Sequence, residues 1–132
     1  MRGIDTNILV RFLVRDDPEQ AQTVRSLFER AEIENDRFHV SSIVLCELVW
    51  VLRSRYRLGR EDVCSILDAL LDIGLLQIQD RDLARRALAE FRQGPADFSD
   101  YLIGWQDRRA GCEETLTFDG GLDGAPGFTI LR

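Results

Sequence analysis

Five short strand-like pieces, Arg2–Ile4, Phe38–Val40, Leu76–Ile78, Thr115–Phe118 and Phe128–Leu131, alternate with longer segments whose apolar residues recur at helical spacing. The predicted helices are Asn7–Val14, Pro18–Ala31, Ser42–Arg55, Arg60–Ile73, Asp80–Arg92 and Phe98–Arg109. "DDPEQ" puts acids and a proline at the start of the second, the pair Ser41 and Ser42 caps the third, and Gly111 follows the last. Short strands separated by helices predict an α/β fold in three layers, with a central parallel sheet of about five strands covered by helices. In such sheets ligands bind beyond the carboxyl ends of the strands. Functional residues are therefore expected just after strands, or on helices leaning over that edge.

The chain has 132 residues, 45% of them hydrophobic and 30% charged, which suits a single domain over residues 1–132. No repeat, low-complexity tract or linker interrupts it; glycine is concentrated in "FDGGLDGAPG" near the end. The opening "MRGIDTN" has no apolar stretch behind its basic residue, and no apolar run reaches the ~18 residues of a membrane span. A cytoplasmic location is expected. All 17 basic residues are arginine, so chemistry that needs a lysine ammonium is closed, and the net charge of -6 argues against a general DNA-coating protein. Cys46, Cys64 and Cys112 are odd in number and widely spaced, which fits small core residues or semi-exposed thiols better than a disulfide framework.

The acids carry the chemical signal. Asp5 follows the first strand and Asp119 follows "TLTF", each where a side chain can project from the carboxyl edge. Capping explains Asp5 equally well, and a turn explains Asp119 better when it is taken alone. Asp97 and Asp100 are three residues apart at a helix start, so one is expected to cap and the other to stay ionised at low cost near the helix N-terminus. Glu47 stands inside "IVLCELVWVL", where capping is impossible and where Ile43, Val44, Trp50 and Val51 lie one turn away. Core-like surroundings are expected for it, and the ordinary partner for such a carboxylate is an arginine, for which Arg11 or Arg53 could serve. If these acids converge, their repulsion calls for a cation, and oxygen ligands without His or Cys select Mg²⁺ or Mn²⁺. His39, the single histidine, sits in a strand and is assigned a structural role. No Ser-His-Asp arrangement, Walker A loop or GxGxxG is present.

Taken together, "IDTNILVRFL", "SSIVLCELVWVL", "GPADFSDYLIG" and "TLTFDGGL…PGFTIL" resemble the PIN-domain family, and within it the VapC-type toxin ribonucleases, along nearly the whole chain. The resemblance implies that the catalytic, metal-binding acids are Asp5, Glu47, Asp100 and Asp119, with Asp97 beside them and Thr6 and Thr117 as neighbouring hydroxyls. It implies Mg²⁺ as cofactor, with Mn²⁺ possible, RNA as substrate and a small antitoxin protein as partner; the apolar helices around Trp50 and Leu67–Leu71 offer a surface for a homodimer, although a large apolar face more often means core. Gly120 replaces the basic residue that relatives often carry after the last acid, so positive charge for RNA falls to arginines, with Arg11, Arg15, Arg53, Arg55 and Arg57 as candidates. An ordinary solvated helix face explains each of these arginines singly.

Three rival readings share parts of the pattern. A PIN nuclease of RNA processing, or a phosphatase or DNA nuclease on the same carboxylates, would differ in substrate. A receiver-like signalling domain also gathers acids around Mg²⁺ but needs a lysine that this chain lacks. A binding module with a degenerate site is opposed by acids at all four places.

Overall fold

The computed structural model describes residues 1–132 as two compact units, Met1–Gln79 and Asp80–Arg132. The first contains β1 (Arg2–Gly3), α1 (Thr6–Leu13), α2 (Pro18–Ile33), β2 (Phe38–Val40), α3 (Ser42–Ser54), α4 (Arg60–Leu71) and β3 (Leu76–Ile78). The second contains α5 (Arg81–Gln93), α6 (Phe98–Arg109), β4 (Thr115–Thr117), a 3₁₀ turn (Gly120–Leu122) and β5 (Phe128–Ile130). Every predicted helix and strand forms, with ends that differ by at most two residues.

The α/β class with parallel strands stands, but the five strands divide into two sheets instead of one. In the first unit the order is β1-β2-β3, with Arg2 opposite Phe38 and Phe38 opposite Leu76. In the second, β4 pairs with β5, Thr115 opposite Phe128. Strands of two or three residues make few ladder hydrogen bonds, so a pairing persists only where the connection between its strands also packs. The β4–β5 connection is short for a parallel pair and turns on Gly124 and Gly127, both at positive φ.

Helix starts follow the capping chemistry of the sequence. Asp17 accepts from the Gln20 N–H at 3.0 Å ahead of Pro18, and the Ser41 hydroxyl accepts from the Val44 N–H at 3.2 Å. In the first unit Leu9, Val10, Phe28, Phe38, Leu48, Leu52 and Leu67 are buried, and the Phe12, Phe28 and Phe38 rings follow one another at 4.8 and 5.2 Å. In the second unit α5 buries Leu83, Ala84, Ala87, Leu88 and Phe91, and α6 buries Phe98, Tyr101 and Leu102. Two glycines are required by close approach. A Cβ at Gly94 would lie 2.0 Å from the Tyr101 hydroxyl, and one at Gly104 would lie 2.6 Å from the Phe128 ring.

The surroundings expected for Glu47 are corrected by the structure. Helix α3 buries Leu45, Leu48, Val49 and Leu52, spaced i, i+3, i+4 and i+7, and Glu47 lies on the exposed face between Ile43, 77% exposed, and Trp50, 68% exposed. A helix apolar on nearly every side does not reveal its buried stripe, and packing selects the leucine-rich one. Leu67, Leu70 and Leu71 are core residues of the first unit, so that part of α4 offers no free apolar face for a homodimer. His39 is half-buried in β2, and its carbonyl accepts from the Ile4 N–H at 3.1 Å. All three cysteines are free: Cys64 is buried, Cys112 is exposed, and burial pushes the half-buried Cys46 thiol up to about 11. No helix is long and apolar enough to cross a membrane.

Candidate metal centre

In the first unit, Asp5 and Glu47 line one cavity of about 140 Å³ together with Thr6, Asn7, Val10, Arg11, Val51 and Arg55. Asp5 arrives there because β1 ends just before it, and it caps α1, with Oδ1 accepting from the Thr6 N–H at 2.7 Å. The capping and edge-of-sheet readings of Asp5 are therefore compatible. Glu47 reaches the cavity from the exposed face of α3. It makes no ion pair or hydrogen bond; Arg11 instead pairs with Asp16 at 2.9 Å and donates to Gln20 at 2.6 Å. The ordinary Arg–Glu pairing is thus absent. Thr6 is buried, and its hydroxyl oxygen is the buried side-chain polar atom without a hydrogen-bond partner. Such an orphan costs about 1–3 kcal/mol when nothing satisfies it, and its place beside two carboxylates fits a site that receives an ion or bound water.

In the second unit, Asp97 caps α6 in a capping box with Asp100, whose Oδ2 accepts from the Asp97 N–H at 3.0 Å. The expectation of an Asp100 ionised at low cost is corrected. Burial raises its carboxyl above the usual value, the Asp97 N–H opposes that, and the charges of Asp97 and Asp119 push it further up. Asp119 follows β4 and holds a turn: Oδ1 accepts from the Gly121 N–H at 2.8 Å, while its own N–H donates to the Thr117 hydroxyl at 3.0 Å. A Cβ at Gly121 would come within 3.1 Å of Asp119 Oδ1, so a glycine at this position keeps the turn tight.

Asp5, Thr6 and Glu47 are thus brought together in one unit, and Asp97, Asp100, Thr117 and Asp119 belong to the other. In neither unit do three or more His, Cys, Asp or Glu side chains gather round one point. Of the arginines, Arg11 and Arg55 line the cavity, Arg15 is exposed beyond α1, Arg53 is half-buried late in α3, and Arg57 adopts a left-handed backbone. Asn7 also lines the cavity; its only signal in the sequence is its place two residues after Asp5. A larger cavity of about 560 Å³ in the first unit is lined by Phe12, Phe28, Arg37 and Leu75. It opens at the residues that lead into β2 and β3, the amino ends of those strands, away from the carboxyl-end acids.

The PIN domain family model matches residues 4–126. The chain belongs to the PIN-domain family. That match runs from just before Asp5 to beyond Asp119, so it takes in all four acids and both units. A protein named VapC ribonuclease, from Aquifex aeolicus (strain VF5), is 25% identical over 118 residues, covering 89% of this chain and 87% of the relative. The PIN domain described here is therefore similar to that relative over most of both lengths.

Proposed function

We propose that this PIN domain is a metal-dependent endoribonuclease of the VapC type, in which Asp5, Glu47, Asp100 and Asp119 are the metal-binding and catalytic acids, with Mg²⁺ as cofactor and Mn²⁺ able to replace it. The observation that carries the reading is the cavity where Asp5, an arginine-free Glu47 and the unpartnered Thr6 hydroxyl meet. The donor set fits a hard cation, because it is all oxygen with neither imidazole nor thiolate. Such an ion, when bound, lowers the pKa of a water and offsets charge on the phosphodiester in the transition state.

The chain's own residues hold that site open. Backbone donors fix one oxygen each of Asp5, Asp100 and Asp119, which leaves the second oxygen of each as a ligand. Glu47, with no competing cation, orients the attacking water or takes its proton. Asp97 positions Asp100, and Thr117 positions the Asp119 backbone. Arg11 is committed to Asp16, so of the two arginines that line the cavity Arg55 is the better phosphate contact. The biological role that follows is the toxin of a toxin–antitoxin pair in the cytoplasm, with a small antitoxin as partner. A homodimer would use the apolar surface around the exposed Trp50.

The test is Asp5→Asn. Asparagine caps helices as well as aspartate does, so the fold is kept, while cleavage of single-stranded RNA in Mg²⁺ falls by about three decades or more. Growth arrest on expression should disappear with it. A cleaving Asp5→Asn protein, or an unmodified protein that cuts duplex DNA or a chromogenic phosphate ester but not RNA, refutes the assignment.

A further inference from the structure

In the second unit, a cavity of about 210 Å³ is lined by Asp82, Leu83, Arg86, Trp105, Arg108 and Arg109. Arg86 on α5 and Arg108 on α6 both stack on the Trp105 ring, their guanidinium carbons 4.9 and 4.5 Å from its centroid. The indole N–H donates to the Glu90 carboxylate, which fixes the ring in place. Trp105 and Arg108 meet because residues three apart share a helix face.

The charges in this cavity do not cancel. Arg109 is spent on Asp80, at 3.3 Å, and on Asp82, so the one carboxylate in the lining is neutralised. Arg86 and Arg108 have no carboxylate partner. In a chain of net charge -6, two guanidiniums held on one aromatic ring without an ion-pair partner are a local positive spot, beside the Glu90 carboxylate that holds the ring. Stacking engages the face of a guanidinium and leaves its in-plane N–H donors free, in the fork geometry that suits a phosphate. The ring also restricts both side chains in advance, so less entropy is lost when an anion arrives.

We propose that this cavity is a phosphate subsite for single-stranded RNA, with Arg86 and Arg108 gripping the backbone of a strand whose scissile bond lies at the acids. The inference rests on the nuclease reading for the placement of the scissile bond. Trp105 lies five residues beyond Asp100 on α6, roughly 7.5 Å along the helix axis and about 140° around it, so a strand that joins the two places also passes partly round the helix. An aromatic plane beside paired cations suits a ligand that carries bases and phosphates together. An acidic protein segment would use only the charges.

The experiment uses the full chain in EDTA, where the strand is not hydrolysed, and follows a fluorescein-labelled oligouridylate by anisotropy across a salt series. Arg86→Gln with Arg108→Gln should raise Kd about tenfold or more, and each lost phosphate contact should flatten the salt slope by about 0.7. Circular dichroism checks the fold, and Arg86→Gln alone, at an exposed position, gives half the slope change if the double variant unfolds. An unchanged Kd and slope in a folded variant overturns the subsite, as does binding of polyglutamate in preference to oligouridylate. RNA held through these arginines but left uncut by the Mg²⁺-loaded protein supports the subsite and removes the nuclease reading. RNA cut with no dependence on the arginines does the reverse.

Discussion

Asp5 and Glu47 in the first unit, and Asp100 and Asp119 in the second, are held by different means. Asp100 and Asp119 are each tied to backbone N–H groups within three residues, and burial, with the charges of Asp97 and Asp119 added to it, raises the Asp100 carboxyl. Glu47 has no tie of any kind and stands on the solvent side of its helix. Asp100 and Asp119 are therefore positioned by the turns that carry them, and Asp5 by its cap on the Thr6 N–H, whereas Glu47 depends on what enters the cavity. Capping and catalysis meet on single carboxylates in both units, at Asp5 in the first and at Asp100 in the second, and Glu47 alone is without a capping or turn role.

The largest effect that sharpens this contrast is expected at Glu47. Glu47→Gln should lower RNA cleavage about a hundredfold, because a proton acceptor is lost, while urea denaturation shows a change within about 0.5 kcal/mol. A stability loss several times larger would mean that Glu47 has a structural partner after all. Next comes Gly94→Ala, which forces a methyl group onto Tyr101 and should destabilise the protein by about 1–3 kcal/mol, read from the same denaturation curve. An unchanged midpoint would show that Tyr101 moves aside easily and does not set the α5–α6 approach.

The smallest effect is at Asp100. Its raised carboxyl means that the folded state binds the proton more tightly than the unfolded chain does. The penalty is full above the folded value, shrinks as pH falls through it, and vanishes below the ordinary aspartate value. Asp100→Asn should therefore raise Tm slightly at pH 7 in metal-free buffer, by an amount that disappears under acid conditions. Lower stability at pH 7 would mean that the capping bond to Asp97 outweighs the repulsion.

The order of elements was legible because apolar spacing and caps agree along the chain, and α6 and β2 fall on the predicted residues. The division into two sheets was not, since strands of two or three residues carry no sign of which neighbour they will join. Asp5 and Asp119 were recognisable by position after strands. The exposure of Glu47 was hidden because Ile43 and Trp50, apolar residues on the outer face of α3, look like core. The Arg86–Trp105–Arg108 stack was invisible for another reason: it joins two helices, and nothing local to either marks the meeting.

The short link between β4 and β5 also bears on the order in which the chain organises itself. Thr115 finds Phe128 across little more than a dozen residues, whereas Arg2 must find Phe38, and Phe38 must find Leu76, across about three times as many. Each doubling of a closed loop adds about 0.6 kcal/mol of entropy cost, and low contact order speeds folding. The second unit, with its α5–α6 hairpin and its near-neighbour strand pair, is placed to form first. Its amides are then expected to gain protection from hydrogen exchange ahead of β1–β2–β3 in a pulse-labelling experiment, although the chain is synthesised in the opposite order.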